Sequence, residues 1–424
     1  MTNDKLDSIL DALEADHALW SDFIALCDCG GRRAGTASEE KALQFANKRL
    51  GDLNPAVRVE RVRYAGWRLK EAALTLADGT ALACNPLLGS QSTPPEGMTA
   101  EICDLGRGTP DDFERRAADI RGRFVVVRHE YPFSAQHIHR RRKLAWAMER
   151  GAAGFIIANP HPGAGPVAGS SGRGGQGGIP AVGTDFESAA RLCETSRAHA
   201  VHLKSTGEDY DAETSVLSID FPGKGPGWVV LSAHLDGHDL AESAMDNGTG
   251  VAAALAVARA CAPYVSHCSR GLRLCLFSAE EWALAGSKQY LGDMTAEERN
   301  RIALNVNLDT VGGDDRLTAL TSEFPKLDGL VRGVVDASGT ALNTYQPMMA
   351  NSDHYNFAHH GIPAMRLVAG FNRPESNIRY ILTRGDTRDT VKPEELRGAT
   401  RAAAILVWRG LTMSDAEMRR LRVA

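Results

Sequence analysis

The chain of 424 residues is 43% hydrophobic and 24% charged, which predicts a soluble globular protein, and its length favours two domains. Its formal net charge of −5 argues against a general nucleic-acid binder, and no window approaches the ~18 uncharged apolar residues of a membrane span. The N-terminus lacks the positive start and apolar stretch of a secretory signal. The eight scattered cysteines are expected to be reduced thiols, so we expect a cytoplasmic protein.

The first 86 residues combine helices and strands. Apolar residues at helical spacing predict an amphipathic helix over 4–26, and a second helix ends near Leu50. Residues 57–85 alternate as strands of a hairpin. Between the two helices, Arg32 and Arg33 are able to bind an acidic group, but a solvated pair beside a helix start is the favoured interpretation.

Residues 87–205 have a different pattern of predicted secondary structure from the first 86 residues. They contain short β runs at 124–127 and 155–158, and a helix is predicted over 141–150. The basic run over 137–143 is interpreted as a solvated helix face, with an acidic partner as the alternative.

From residue 214 onward, strands alternate with helices. This pattern predicts an α/β fold with a mixed, mostly parallel sheet and helices on both of its faces. The predicted strands cover 216–221, 228–233, 272–277, 302–308, 317–321 and 364–368.

Polar side chains follow the ends of several of these strands. His234, Asp246, the Glu280–Glu281 pair and Asp309 all stand just beyond a strand. Each one alone has a structural explanation, such as a turn, a helix cap or a charge at a helix start. Because the carboxyl ends of neighbouring parallel strands meet at one edge of a sheet, together they predict a site for zinc or another divalent ion.

The motifs around these residues resemble those of metallopeptidase family 28, the zinc aminopeptidase group that also includes glutamate carboxypeptidases and glutaminyl cyclase. They are HLD at 234–236, AMDNGTGV at 244–251, FSAEEWALAGS at 277–287, NLDTVG at 307–312 and SDHYNFAHHGIPA at 352–364. The insert, with its IRGRFVVVRHE and ERGAAGFIIANP stretches, resembles a protease-associated domain. The resemblance implies a catalytic domain over 1–86 and 206–424, with the protease-associated insert over 87–205.

The resemblance also implies a role for each matching residue. His234 and Asp309 would bind the first metal ion, Asp246 would bridge two ions, and Glu281 would bind the second. Glu280 would be the general base that takes a proton from water, and Asp236 would orient the His234 ring. The implied cofactor is zinc, with two ions per chain expected, and the implied reaction is removal of an N-terminal amino acid from a small peptide or amino-acid amide.

One position departs from the family pattern. The family has a histidine ligand for the second ion where this chain has Leu382, although Asp386 and the residues after it still fit. Three outcomes remain open: another side chain supplies the ligand, the chain binds only one ion, or catalysis has been lost. His354 is the first replacement considered, and His238 is the other.

Two further functions compete with the aminopeptidase. One is an amidase or carboxypeptidase that acts on an amino-acid conjugate. An arginine that faces the pocket would favour this function by binding a carboxylate, although surface positions are the favoured interpretation for Arg366, Arg373, Arg379, Arg384 and Arg388. The other is a non-catalytic binding scaffold of the transferrin-receptor type. The sequence leaves formation of a homo-oligomer open.

Overall fold

The computed structural model describes residues 2–172, 177–195, 200–338 and 341–422. The helices are α1 Thr2–Glu14, α2 Ala18–Asp28, α3 Ala37–Leu53, α4 Pro110–Arg115, α5 Ala117–Ile120, α6 Arg140–Glu149, α7 Phe186–Thr195, α8 Thr249–Val265, α9 Ala285–Asp293, α10 Ala296–Arg301, α11 Leu327–Ser338, α12 His354–His359, α13 Pro393–Thr412 and α14 Asp415–Leu421. The strands are β1 Arg58–Thr75, β2 Ala81–Leu82, β3 Cys84–Pro86, β4 Met98–Ala100, β5 Ile102–Asp104, β6 Phe124–Arg128, β7 Gly154–Ala158, β8 Ala181–Thr184, β9 Val201–Phe221, β10 Trp228–His234, β11 Gly271–Phe277, β12 Ile302–Leu308, β13 Leu317–Leu320, β14 Leu342–Tyr345 and β15 Ala364–Ala369.

The single N-terminal helix expected over 4–26 is in fact two helices, α1 and α2. Asp16 lies between them, and its carboxylate accepts a hydrogen bond from the Ala18 N–H at 2.8 Å. The same carboxylate pairs with Arg259 of α8 at 2.8 Å. A short acidic side chain that bonds to the nearby backbone favours a new helix start over a continuous helix, and apolar periodicity does not reveal this preference.

The chain folds into two compact units. The first contains Met1–Arg63, Glu213–Ile378 and Asp386–Ala424, and the second contains Tyr64–Ala212 and Arg379–Gly385. The second unit includes more of the chain than the insert expected over 87–205. The difference arises because β1 and β9 are long strands that each pass from one unit into the other, and because the segment Arg379–Gly385 belongs to the second unit.

The first unit is built on a sheet with the order β14-β13-β15-β12-β10-β11-β9. The pairs β10/β11, β10/β12, β12/β15 and β13/β14 are parallel, whereas β13/β15 and β11/β9 are antiparallel. The expected α/β class with a mixed, mostly parallel sheet is therefore confirmed. Strand β14 was not predicted from the sequence, because its four residues LNTY give no clear alternation of apolar side chains.

The register of the three central strands aligns their carboxyl ends. His234, the last residue of β10, pairs with Phe277, the last residue of β11. On the other side of β10, Ser232 pairs with Asn307 of β12. The loops that begin at residues 235, 278 and 309 therefore leave the sheet side by side, and this edge is where parallel α/β sheets bind ligands.

Helix α8 is the central helix of the first unit. Every residue from 249 to 258 is buried, and most are alanine, valine or leucine, whose compact side chains allow close packing on the sheet. Within the described residues, the stretch Ala244–Val265 is long and apolar enough to cross a membrane by length and composition alone, and 78% of its most apolar window is buried inside the fold. A buried core helix meets the same criterion.

The second unit contains a separate sheet with the order β3-β8-β7-β6-β5. All of its neighbours are parallel except the pair β3/β8. In β7, Phe155 and Ile157 point into one apolar cluster and Ile156 points into another. The sheet is therefore buried on both faces, as expected for parallel strands covered by helices.

The basic run over 137–143 is not the solvated helix face expected from its composition. Arg140 and Lys143 of α6 are both buried. The Lys143 ammonium donates to the Glu130 carboxylate at 2.6 Å and to the Arg107 carbonyl oxygen at 2.7 Å. A charged side chain is tolerated in the interior when it is paired and hydrogen-bonded in this way, and such partners are distant in the sequence.

Candidate metal centre

The loop between β10 and α8 is held in place by a buried arginine. The guanidinium of Arg32 donates to the carbonyl oxygens of Leu235 at 2.9 Å, Glu242 at 2.6 Å and Ser243 at 2.6 Å. Arg32 has no exposed surface, so the solvated position expected for it is wrong. The N–H groups of the planar guanidinium form the hydrogen bonds that water would otherwise make to these carbonyl oxygens. These bonds compensate for burial of the positive charge.

Three predicted ligands meet at the end of β10. The Nε2 atom of His234 lies 3.1 Å from Asp246 Oδ1 and 3.4 Å from Asp309 Oδ1. One ligand atom from each of these residues lies within 4.8 Å of the others. The other ring nitrogen, Nδ1, lies 3.1 Å from the backbone carbonyl oxygen of Asp236 and donates to it. Nδ1 therefore carries a proton, and Nε2, which faces the two carboxylates, is the ring nitrogen that a metal ion would bind.

The electrostatics of this group indicate that it lacks positive charge. Burial by itself would lower the pKa of His234, but the charges of Asp309 and Glu280 hold it well above its ordinary value. His234 Nε2 is buried and has no hydrogen-bond partner in the described part of the chain. One imidazole and two carboxylates form a donor set that suits zinc, so the residues present fit the ion that the resemblance implies.

Asp309 has a permanent cationic partner in Arg366 of β15. The Arg366 guanidinium lies 3.1 Å from Asp309 Oδ2 and donates to the Asp309 carbonyl oxygen at 3.3 Å and the Asn351 carbonyl oxygen at 3.1 Å. Burial would raise the pKa of Asp309, but Arg366 holds it far below its usual range. Arg366 is itself almost fully buried, so the surface position favoured for it is wrong.

The Asp236 carboxylate positions the two glutamates. It accepts hydrogen bonds from the backbone N–H of Glu280 at 3.0 Å and of Glu281 at 3.2 Å. One of its oxygens lies 3.7 Å from His234 Nδ1, so the His234 ring is oriented mainly by the backbone carbonyl group of Asp236. Asp236 thus links the loop after β10 to the loop after β11.

Both glutamates have carboxyl groups whose ionisation is suppressed. Burial raises the pKa of Glu280 well above its ordinary value and that of Glu281 to about 7. A carboxyl group with a raised pKa is able to accept a proton and release it again near neutral pH, which is what a general base and acid must do. The predicted roles of the two residues remain predictions.

A further buried carboxylate, Asp353, was not singled out from the sequence. It precedes α12 and has no exposed surface. Burial raises its pKa to about 7, and its charge acts in turn on Glu280. In the stretch Ser352–Asp353–His354 only the histidine was a predicted ligand, because a lone aspartate before a helix usually serves as a cap.

The structure does not bring His354 into the group formed by His234, Asp246 and Asp309. Its ring is completely buried, and this burial, together with the nearby positive charge of Arg366, lowers its pKa to about 3. A neutral imidazole beside a guanidinium is a poor place for a second cation. Its role as the replacement ligand stays a prediction that the geometry does not favour.

His238, the other replacement considered, lies in the same loop as His234 and is also buried. Its Nδ1 accepts a hydrogen bond from the Leu240 N–H at 3.2 Å, and its Nε2 lies 3.9 Å from Asp386 Oδ2. Burial lowers its pKa, but Asp386 and the neighbouring carboxylates raise it by more. Asp386 also accepts the N–H groups of Met245 at 2.7 Å and Asp246 at 3.3 Å, and so fixes the loop that carries Asp246.

Leu382, at the position of the missing histidine, belongs to the second unit. It is buried, has a φ of 58°, and its carbonyl oxygen accepts the Ala168 N–H at 2.8 Å. The Arg384 guanidinium donates to the Gly163 carbonyl oxygen at 2.7 Å. This segment is thus bound to the part of its own unit that contains Gly163 and Ala168.

The sequence matches the models of two known protein families. Residues 217–407 match the model of peptidase family M28, and residues 86–192 match the PA domain model. Residues 217–407 form a peptidase domain of family M28. The expected resemblance is therefore confirmed, and the chain is a hydrolase of the metallopeptidase class with a PA domain.

The M28 relatives include both aminopeptidases and carboxypeptidases. The chain is 28% identical to aminopeptidase YwaD of Bacillus subtilis over 87% of its own length and 79% of that protein. It is 30% identical to carboxypeptidase Q of Bos taurus, over 62% of its own length and 58% of that protein. Among solved structures, a zinc aminopeptidase from Bacillus subtilis aligns with a TM-score of 0.75 and 25% identity, over 94% of this chain and 96% of that one.

Proposed function

We propose that this protein uses a zinc ion to hydrolyse peptide or amide bonds and that it acts as an aminopeptidase. The observation that carries the proposal is the group of His234, Asp246 and Asp309, with Nε2 of His234 facing two carboxylates and Glu280 close enough to act on the His234 pKa. The M28 relatives support metal-dependent peptide hydrolysis.

When bound, zinc would be held by His234, Asp246 and Asp309, and it would lower the pKa of a water molecule and polarise the scissile carbonyl group. Glu280 would take the proton from this water and deliver it to the leaving amine. The Asp236 carboxylate would hold Glu280 in place by accepting its backbone N–H. The base would then already be correctly positioned before the reaction begins.

Three arginines of the first unit that the sequence placed near the site favour an aminopeptidase over a carboxypeptidase. A carboxypeptidase needs a cationic group that is free to bind the C-terminal carboxylate of its substrate. Arg366 is paired with Asp309, Arg373 with Asp314 at 2.9 Å, and Arg388 with Glu242 at 2.9 Å. Each of the three already has an acidic partner, and this supports recognition of a substrate amine or an uncharged residue instead.

We also propose a small peptide or amino-acid amide as the substrate and the cytoplasm as the location. All eight cysteines are free thiols, and five of them are buried, which is consistent with a reducing compartment. The net charge of −5 supports a function that does not involve nucleic acid. Whether copies of the chain associate is left to measurement of the mass in solution.

Replacing Glu280 by glutamine tests the proposed chemistry. We expect kcat for an aminoacyl amide to fall by about 10²–10⁴-fold with the zinc content unchanged, because glutamine keeps the shape of the side chain but cannot accept the proton. The matched control is Glu297→Gln in α10, where the glutamate side chain is 77% exposed and pairs with Arg301. Unchanged kcat in the Glu280 variant would contradict the proposal, and a zinc-loaded wild type that binds peptides without turnover would favour the scaffold function.

A further inference from the structure

The half of the site that the family resemblance assigns to a second ion has an unusual composition. It keeps Glu281 and Asp246, but the expected histidine is replaced by Leu382. His238 lies in the same loop as Asp246, and the charges of Glu281 and Asp246 both act on its pKa. The ring of His238 is therefore the remaining imidazole that the described residues bring to this half of the site.

The hydrogen bonds of His238 place a proton on the nitrogen that a metal would need. Its Nδ1 accepts the Leu240 N–H at 3.2 Å, so the neutral ring carries its proton on Nε2. His234 shows the opposite arrangement, since its Nδ1 donates to the Asp236 carbonyl oxygen and leaves Nε2 free to bind a metal.

The Nε2–H group of His238 faces the Asp386 carboxylate, whose charge raises its pKa, but makes no hydrogen bond within the described part of the chain. Asp386 Oδ2, at 3.9 Å, is beyond hydrogen-bond distance, and Nε2 is buried without a partner. A buried donor without a partner destabilises the fold, so a group of this kind is expected to have a ligand to bind. In a hydrolase the natural partner is an oxygen atom of the substrate.

We propose that His238 is not a metal ligand but a hydrogen-bond donor to the substrate, that it takes the place of the second ion, and that the chain therefore binds one zinc ion. This inference rests on the proposed hydrolase function. The Nε2–H group would bind the carbonyl oxygen of the scissile bond and stabilise the negative charge that develops there. The retained set of His234, Asp246 and Asp309 would hold the single ion.

The first test is a zinc titration of the metal-free full-length protein, followed by elemental analysis. We compare the wild type with His238→Gln, which keeps an N–H donor, and with His238→Leu, which has a similar volume and no donor. We expect one ion per chain in all three proteins, with dissociation constants that agree within about threefold, since His238 takes no part in binding the ion. Two ions in the wild type would overturn the proposal, whether or not the His238 variants lose one of them.

The second test measures the tautomer of His238 directly in the wild-type protein. In protein labelled with ¹⁵N at histidine, long-range ¹⁵N–¹H spectra distinguish a proton on Nε2 from one on Nδ1. We expect His238 to carry its proton on Nε2 with and without zinc, and His234 to carry its proton on Nδ1. The spectrum of the His238→Gln variant assigns the signal. A neutral His238 ring with its proton on Nδ1 and none on Nε2 in the zinc-loaded protein would overturn the proposal.

Kinetics provide the third test. We expect kcat/KM to fall by about 10²–10³-fold in His238→Leu and to remain within about tenfold of wild type in His238→Gln. The exposed His360 provides a control, with no change expected for His360→Leu. Equal losses in the two His238 variants would overturn the donor role. If no amide is hydrolysed at all, the proposed function fails, whereas the zinc stoichiometry and the tautomer still test the assignment of His238.

Discussion

Replacing Asp236 by asparagine perturbs the contact that joins the loops of the site. The buried carboxylate accepts the backbone N–H of Glu280 at 3.0 Å and that of Glu281 at 3.2 Å. Asparagine keeps one acceptor but turns an NH₂ group toward the other N–H, so one charge-assisted hydrogen bond becomes a contact between two donors. We expect the free energy of unfolding to fall by roughly 2–4 kcal/mol, the loss typical of such a buried bond and its unsatisfied partner.

The same change displaces the base without removing a ligand. The His234 ring is anchored by the backbone carbonyl group of Asp236, which the substitution leaves in place, so we expect the zinc content to be retained. We expect kcat to fall about 100-fold, since a displacement of about 1 Å is enough for such a loss. Urea unfolding, elemental analysis and steady-state kinetics measure the three quantities.

The control for this prediction is Asp239→Asn in the same loop. The Asp239 side chain is 52% exposed and pairs with Arg33 at 3.3 Å, an exposed ion pair that contributes little to stability. We expect changes of at most about 0.5 kcal/mol in stability and none in kcat. An Asp236→Asn protein with wild-type kcat, or one as stable as the Asp239 variant, would refute the reasoning.

Three other substitutions test other buried ionisable side chains, those of Arg32, Asp353 and His137. Arg32→Met should lower the free energy of unfolding by roughly 3–5 kcal/mol, because several carbonyl groups lose their donor, whereas Arg33→Met should change it by less than about 1 kcal/mol in the same urea titration. Burial raises the pKa of Asp353 to about 7, so its ionisation destabilises the metal-free protein progressively as the pH rises from about 4 to about 7. Asp353→Asn should therefore stabilise the chelated protein more at pH 8 than at pH 5, and equal effects at the two pH values would contradict this assignment. Burial lowers the pKa of His137 to about 4, so folding should lose about 2 kcal/mol from this residue between pH 7.5 and pH 5, because the unfolded chain binds the proton first. His137→Gln should remove that part of the pH dependence, and a variant with the same urea midpoints as wild type at both pH values would show that His137 makes no such contribution.

The positions of the main site residues could be predicted because strand ends are visible in the sequence. Apolar runs mark β10, β11 and β12, and His234, Glu280 and Asp309 follow them closely. Parallel pairing then brings these residues to one edge of the sheet, whatever the details of packing. The α/β class depends on the same periodicity and was predicted for the same reason.

The buried charged residues could not be predicted, because their partners are remote in the sequence. Arg32 binds carbonyl groups about two hundred positions away, and Arg366 pairs with a carboxylate just beyond the end of the neighbouring strand β12. Lys143 was assigned to a solvated face on composition alone, although its partner Glu130 lies only one loop away. A charged residue usually lies at the surface, so only the fold itself reveals the exceptions.

The tautomers of His234 and His238 also could not be predicted from the sequence. His234 and His238 are separated by three residues and look equivalent as ligands in the sequence. Their difference depends on which backbone group each Nδ1 meets, a carbonyl oxygen for His234 and an N–H for His238. No pattern of residue types indicates this difference, yet it decides which ring can bind a metal ion.

The most direct test of the central claim is hydrolysis of a panel of aminoacyl amides by the purified protein, before chelation, after chelation and after return of zinc. The account predicts release of the N-terminal amino acid, loss of activity when the ion is removed from His234, Asp246 and Asp309, and recovery when zinc returns. Hydrolysis that survives complete removal of metal would contradict the account, as would a zinc-loaded protein that cleaves none of the amides.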